Sequence, residues 1–141
     1  MLNKFFKKKD QKAKANDKSI LVTALLIHAA KVDEHYTDFE KKIIKKAIIN
    51  LFSLSQIEAE KILVKAEEKE EESNQIVEFT REIKNNPIEF RLNIIEILWK
   101  IVYSDGTSND YESNLIRRVC GLLYVSDKDS GIIKTKILKT E

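Results

Sequence analysis

The stretch Ala30-Lys31-Val32-Asp33-Glu34-His35-Tyr36-Thr37-Asp38-Phe39-Glu40 decides the fold, because a diverged copy of it recurs 72 residues on. The copy reads Val102-Tyr103-Ser104-Asp105-Gly106-Thr107-Ser108-Asn109-Asp110-Tyr111-Glu112. Asp33 meets Asp105, Asp38 meets Asp110, Phe39 meets Tyr111 and Glu40 meets Glu112. Ile43-Ile44-Lys45-Lys46-Ala47 then answers Leu115-Ile116-Arg117-Arg118-Val119, apolar on apolar and basic on basic. One residue of slip follows, since Leu54-Ser55 answers Val125-Ser126. Self-similarity at a fixed spacing marks two copies of one supersecondary unit.

Each unit opens on a helix that is apolar nearly all round. Ile20 to Val32 is the first and Pro87 to about Ser104 the second. Such helices belong in the middle of a bundle. Ser19 suits the N-cap of the first, and Asn86 with Pro87 suits the cap and first turn of the second. A polar turn follows, then an amphipathic helix. In the first unit it starts at Asp38 and carries Phe39, Ile43, Ile44, Ala47, Ile48 and Leu51 at three- and four-residue spacing. Ser55 with Glu58 makes a capping box for a helix over roughly 56–71, whose charged tail Glu67–Glu72 is expected in solvent. A weaker helix is expected at about 75–84. In the second unit, helices are expected at about 110–123 and, opened by Ser126 with Asp129, up to about Lys139. The fold class is therefore all-α: a compact bundle of about seven helices with an internal two-fold helix–turn–helix repeat.

Composition agrees. The 141 residues suit one domain, and 43% hydrophobic with 34% charged residues support a packed core. One Pro and three Gly disfavour a turn-rich sandwich or barrel. The lone Cys120 has no internal disulfide partner and sits in an apolar run, as a packed thiol in a reducing compartment would. No apolar run approaches 18 residues, and residues 1–18 lack the apolar core of a secretory signal. Residues 1–18 hold seven Lys against Asp10 and Asp17, a balance of +5. The chain's net +2 thus leaves −3 for the remainder. The expected organisation is a basic flexible tail over 1–18 and a helical domain over 19–141.

The two acidic stretches resemble the helix–turn–helix signature of the TerB family of tellurite-resistance proteins. That signature is an Asp, usually followed by Gly, a Glu seven residues after the Asp, and an apolar helix ending in a Leu-Ser-type step. The resemblance covers about residues 20–140. The first copy departs from it, with Glu34 in place of Gly. The resemblance implies a compact bundle of about seven helices, a role in tellurite or general chemical-stress response, and divalent metal on the acidic residues.

The acids bear two readings. Thr37 with Glu40, and Asn109 with Glu112, have capping-box spacing, and Asp38 and Asp110 also favour a helix start. Gly106 permits a positive φ after a helix end. Asp33 and Asp105 fit this punctuation less well, because each follows the C-terminal end of an apolar helix, where the dipole disfavours an acid. If the repeats face each other, Asp33, Glu40, Asp105 and Glu112 form a set that a cation would hold together, with Asp38 and Asp110 as further ligands. Oxygen-only donors select Ca²⁺, Mg²⁺ or Mn²⁺. The spacing is not that of an EF-hand. His28 and Trp99 read as core residues, His35 faces Thr107 in the repeat and is a poor ligand candidate, and Arg117 and Arg118 read as a solvated face.

Three functional classes follow. A non-enzymatic binding or adaptor module, acting through a protein partner in the cytoplasm, is preferred. A peripheral module at the inner face of the membrane is the alternative, because clustered lysines beside Phe5 and Phe6 suit an anionic surface. A carboxylate- or metal-dependent hydrolase ranks below both: no Ser-His-Asp or Cys-His arrangement, Gly-rich phosphate loop or substrate motif is present. Nucleic acid is not expected as a partner, since the folded part shows no basic face with interleaved aromatics.

Overall fold

Two helices that the sequence makes apolar on nearly every side take the centre of the molecule. The computed structural model describes the backbone of residues 2–32, 36–73, 75–103 and 110–140, and side chains within these from residue 17 on, except 110–113 and 140. In chain order the helices are α1 (Leu2–Lys31), α2 (Asp38–Phe52), α3 (Gln56–Glu72), α4 (Ile76–Thr80), α5 (Ile88–Val102), α6 (Asp110–Leu122) and α7 (Asp127–Thr140). Seven helices and no strand are present among the described residues, as the expected bundle requires.

The C-terminal half of α1 is buried around its circumference: Val22, Ala24, Leu25, Leu26 and Ile27 have no exposed surface. It packs against α2, α3, α4 and α5. The second centre is α5, with Ile94, Ile95, Leu98, Trp99, Ile101 and Val102 buried against α1, α2, α6 and α7. Burying each such Leu or Ile contributes about 1.5–3 kcal/mol, so these two helices supply much of the driving force for folding. Buried polar groups on them are satisfied. Thr23 Oγ1 donates to the Ser19 carbonyl at 2.6 Å, and Trp99 Nε1 donates to Ser130 Oγ at 3.1 Å.

The internal repeat is visible in the backbone. After α2, Ser53 adopts a left-handed conformation at φ 53°, and after α6 Tyr124 does so at φ 56°. In both places the next N–H reaches five residues back: Leu54 donates to Ile49 at 3.1 Å and Val125 to Cys120 at 2.9 Å. This is the bond of a Schellman helix end, formed twice at equivalent positions. In both places a serine then caps the next helix. Ser55 Oγ accepts from the Glu58 N–H, and Ser126 Oγ from the Asp129 N–H, each at 3.1 Å.

Several local expectations are corrected. The α1 backbone is helical from Leu2. Ser19 therefore lies inside α1, buried, and does not cap it. Asn86 does not cap α5 either, as Pro87 holds the cap position. The Asn86 side chain instead donates to the Glu82 and Ile83 carbonyls, closing the turns that follow the short α4. Arg91 ties this corner to the second unit. Its Nε donates to the Asn86 carbonyl, and its Nη1 donates to those of Leu123 and Tyr124. A guanidinium there meets the negative end of α6.

Candidate functional site

The first bend is set by helix chemistry at both ends. On its N-terminal side α1 runs to Lys31, and the Val32 N–H still bonds to the His28 carbonyl at 3.1 Å. On its C-terminal side the Thr37–Glu40 capping box forms as the spacing predicted. Thr37 Oγ1 accepts from the Glu40 N–H, and Glu40 Oε1 accepts from the Thr37 N–H and Oγ1 at 3.4 and 3.2 Å. Glu40 is only 8% exposed, whereas Phe39 is 61% exposed. The buried stripe of α2 is thus Glu40–Ile44–Ile48: Ile44 and Ile48 are as expected, and Glu40 takes the place expected of Phe39.

Of the six acids proposed as ligands, Glu40 and Asp38 have described side chains, one buried and one exposed. Asp33 and Asp105 lie outside the described residues. Asp110 and Glu112 lie on α6, but their side chains are outside the described set. Among the described residues no three His, Cys, Asp or Glu side chains group as metal ligands.

The described parts of the two bends share one end of the bundle. The rings of Phe52, at the end of α2, and Phe90, at the start of α5, lie 6.0 Å apart. Between these helices runs a groove of about 380 Å³ that includes Ile43, Ala47 and Leu51 on α2 and Asn93, Ile97 and Lys100 on α5. The two helices therefore run antiparallel side by side. The start of α2, with Glu40, accordingly lies at the same end as the close of α5 at Tyr103.

Beside the first bend the structure builds a polar network that sequence reasoning missed. Glu70 of α3 is only 5% exposed. Its Oε1 lies 3.2 Å from His28 Nδ1 and its Oε2 2.7 Å from Lys31 Nζ. One turn earlier on α3, Glu67 Oε1 accepts from Tyr36 OH at 3.0 Å and pairs with Lys41 Nζ at 3.0 Å. Lys31 and Lys41 lie 5.9 and 5.4 Å from the Tyr36 ring centroid. Burial, followed by the bond to Glu67 and the charges of Glu67 and Glu70, pushes the Tyr36 phenol far above its usual range. The expectation that Glu67–Glu72 is wholly solvated is corrected for Glu70. The signal was present: Ala59, Ile62, Leu63, Ala66 and Glu70 form a single helical stripe.

The remaining candidates fall as follows. His28 is half-buried on Glu70 and tilted against Phe79. His35 lies outside the described residues. Trp99 is core, stacked on Tyr103 at 5.7 Å. Arg117 and Arg118 are exposed. Cys120 is buried, and burial is the main cause raising its thiol pKa, so the thiolate is suppressed. No described helix is long and apolar enough to cross a membrane.

A seven-helix bundle whose halves repeat one bent helical unit, acidic at each bend, defines the class of protein. A family model described as tellurite resistance protein TerB matches residues 19–135, and the chain belongs to the TerB family. Neither a curated protein nor a solved structure matches it.

Proposed function

We propose that the chain is a non-enzymatic TerB-type binding module in tellurite or general chemical-stress response, acting through a protein partner. In this reading a divalent cation is shared by Asp33, Glu40, Asp105 and Glu112, with Asp38 and Asp110 as outer ligands. The observation that carries it is the antiparallel course of α2 and α5, which sets Glu40 at the end where α5 closes. Two further facts support it. Lys31 and Lys41, the bases flanking the first bend, are engaged by Glu70 and Glu67. They are thereby drawn toward α3. Carboxylates brought close in a partly buried setting repel unless a cation intervenes, and an all-oxygen set suits Ca²⁺, Mg²⁺ or Mn²⁺.

Calcium or manganese titration followed by amide NMR tests this. Shifts should concentrate at the six acids and their bend neighbours. The Glu40→Gln variant should keep the capping box, since Gln also serves at that position, yet bind the cation several-fold more weakly. Unchanged spectra at millimolar metal would end the cation reading. A pull-down from lysate with and without the cation then asks whether partner capture depends on it.

A further inference from the structure

The family match begins at residue 19, yet α1 begins at Leu2, so seventeen helical residues precede the family domain. On a helix with about 100° between successive residues, Leu2, Phe5, Phe6 and Ala13 fall in one sector about 100° wide. Lys4, Lys7, Lys8, Lys14 and Lys18 fall in the opposite sector, about 120° wide. Lys9 and Asn16 also fall in the apolar sector, Ala15 in the basic one, and Lys12 at the border. A basic amphipathic helical segment is stabilised by an anionic interface that takes up its apolar sector. Its root is fastened: Lys18 Nζ donates to Asn86 Oδ1 and lies 4.0 Å above the Phe90 ring centroid. That root is at the Phe52–Phe90 end of the bundle, opposite the end where α2 starts and α5 closes.

We propose that the N-terminal half of α1 is an in-plane amphipathic anchor for an anionic lipid bilayer, held to the bundle at its root by Lys18. The charge partition fits, since +5 resides in residues 1–18 and −3 in the remainder. An anionic surface attracts the one and mildly repels the other. Phosphate attraction alone would equally suit a nucleic acid. The aromatic pair within the apolar sector favours lipid, into whose interface such rings insert. This inference is independent of the cation reading.

Co-sedimentation of the full chain with vesicles of phosphatidylglycerol and phosphatidylcholine, against pure phosphatidylcholine vesicles and a duplex DNA, tests it. Binding is expected on the anionic vesicles only. The double variant Phe5→Ser, Phe6→Ser should weaken it about tenfold or more while leaving Tm unchanged. Lys4→Gln with Lys7→Gln and Lys8→Gln should weaken it comparably and flatten its dependence on salt. Undiminished vesicle binding by the Phe variant overturns the proposal, as do equal binding to both vesicle types and retention on DNA without retention on vesicles.

Discussion

The two repeats end their second helices in the same way and hold their third helices in opposite ways. In the first unit α3 is tied to the central helix by charge: Glu70 bonds to both His28 and Lys31. In the second, α7 is tied to the central helix by a neutral bond from Trp99 Nε1 to Ser130 Oγ. Both ties are buried or nearly so, but the desolvation at stake differs. A carboxylate deep in a bundle needs its cations, whereas an indole N–H needs only one acceptor. The first unit thus sets charged side chains beside its bend, while the second bend lies outside the described residues.

Substitution at Glu70 should have the largest effect. Glu70→Ala removes the shared partner of His28 and Lys31 and opens a gap, and should cost about 2–3 kcal/mol, less than a fully buried pair because Lys31 is one-third exposed. Glu70→Gln keeps the shape, so the gap between the two variants in urea unfolding separates charge from packing. If Glu70→Ala costs no more than the neutral tie, the contrast between repeats is lost.

Ser130→Ala should cost about 1–2 kcal/mol, because the Trp99 N–H is left without its buried acceptor. Because the less stable variant opens more often, native-state labelling of the buried Cys120 should remain slow but become measurably faster. Labelling as fast as in the unfolded chain would show that this side of the core is not closed.

Tyr36→Phe should cost about 1 kcal/mol at neutral pH through loss of the bond to Glu67. It should also change the alkaline limb. The Tyr36 phenol binds its proton more tightly folded than unfolded, so its contribution is complete below the usual value of 10.0 and is lost as pH rises above it. Stability of the parent should fall more steeply than that of the variant above pH 10.0. Parallel curves in that range would remove Tyr36 from the network.

The smallest effects test the similarity. Ser53→Gly and Tyr124→Gly place glycine at the two left-handed positions, and each should stabilise by about 0.5 kcal/mol. Gains of opposite sign would mean that the two helix ends are not equivalent.

The duplication, the two central helices and the Thr37 and Ser55 capping boxes were legible because they depend on neighbours within a turn or two, or on self-similarity. The roles of Ser19 and Asn86 were not. A cap is recognised by where a helix starts, and both starts were displaced: α1 begins at Leu2 and α5 takes Pro87 as its cap. Glu40 was picked as an acid at a helix start, but its burial was not foreseen, because Phe39 looked the better core residue and the choice between them turns on a 100° rotation. Glu70 was hidden by composition. Five of the six residues from Glu67 to Glu72 are acidic, which reads as solvated, and only the packing of α3 against α1 singles one out.

Residue order alone determined that this chain is helical and duplicated, since periodicity, helix punctuation and repetition can be read along the chain, and its acidic stretches resemble the TerB signature. Which carboxylate is enclosed, which lysine it holds and which end of the bundle takes the start of α2 and the close of α5 were decided only in three dimensions. Those outcomes depend on how helices far apart in the chain rotate and pack against each other, and no single segment carries that information.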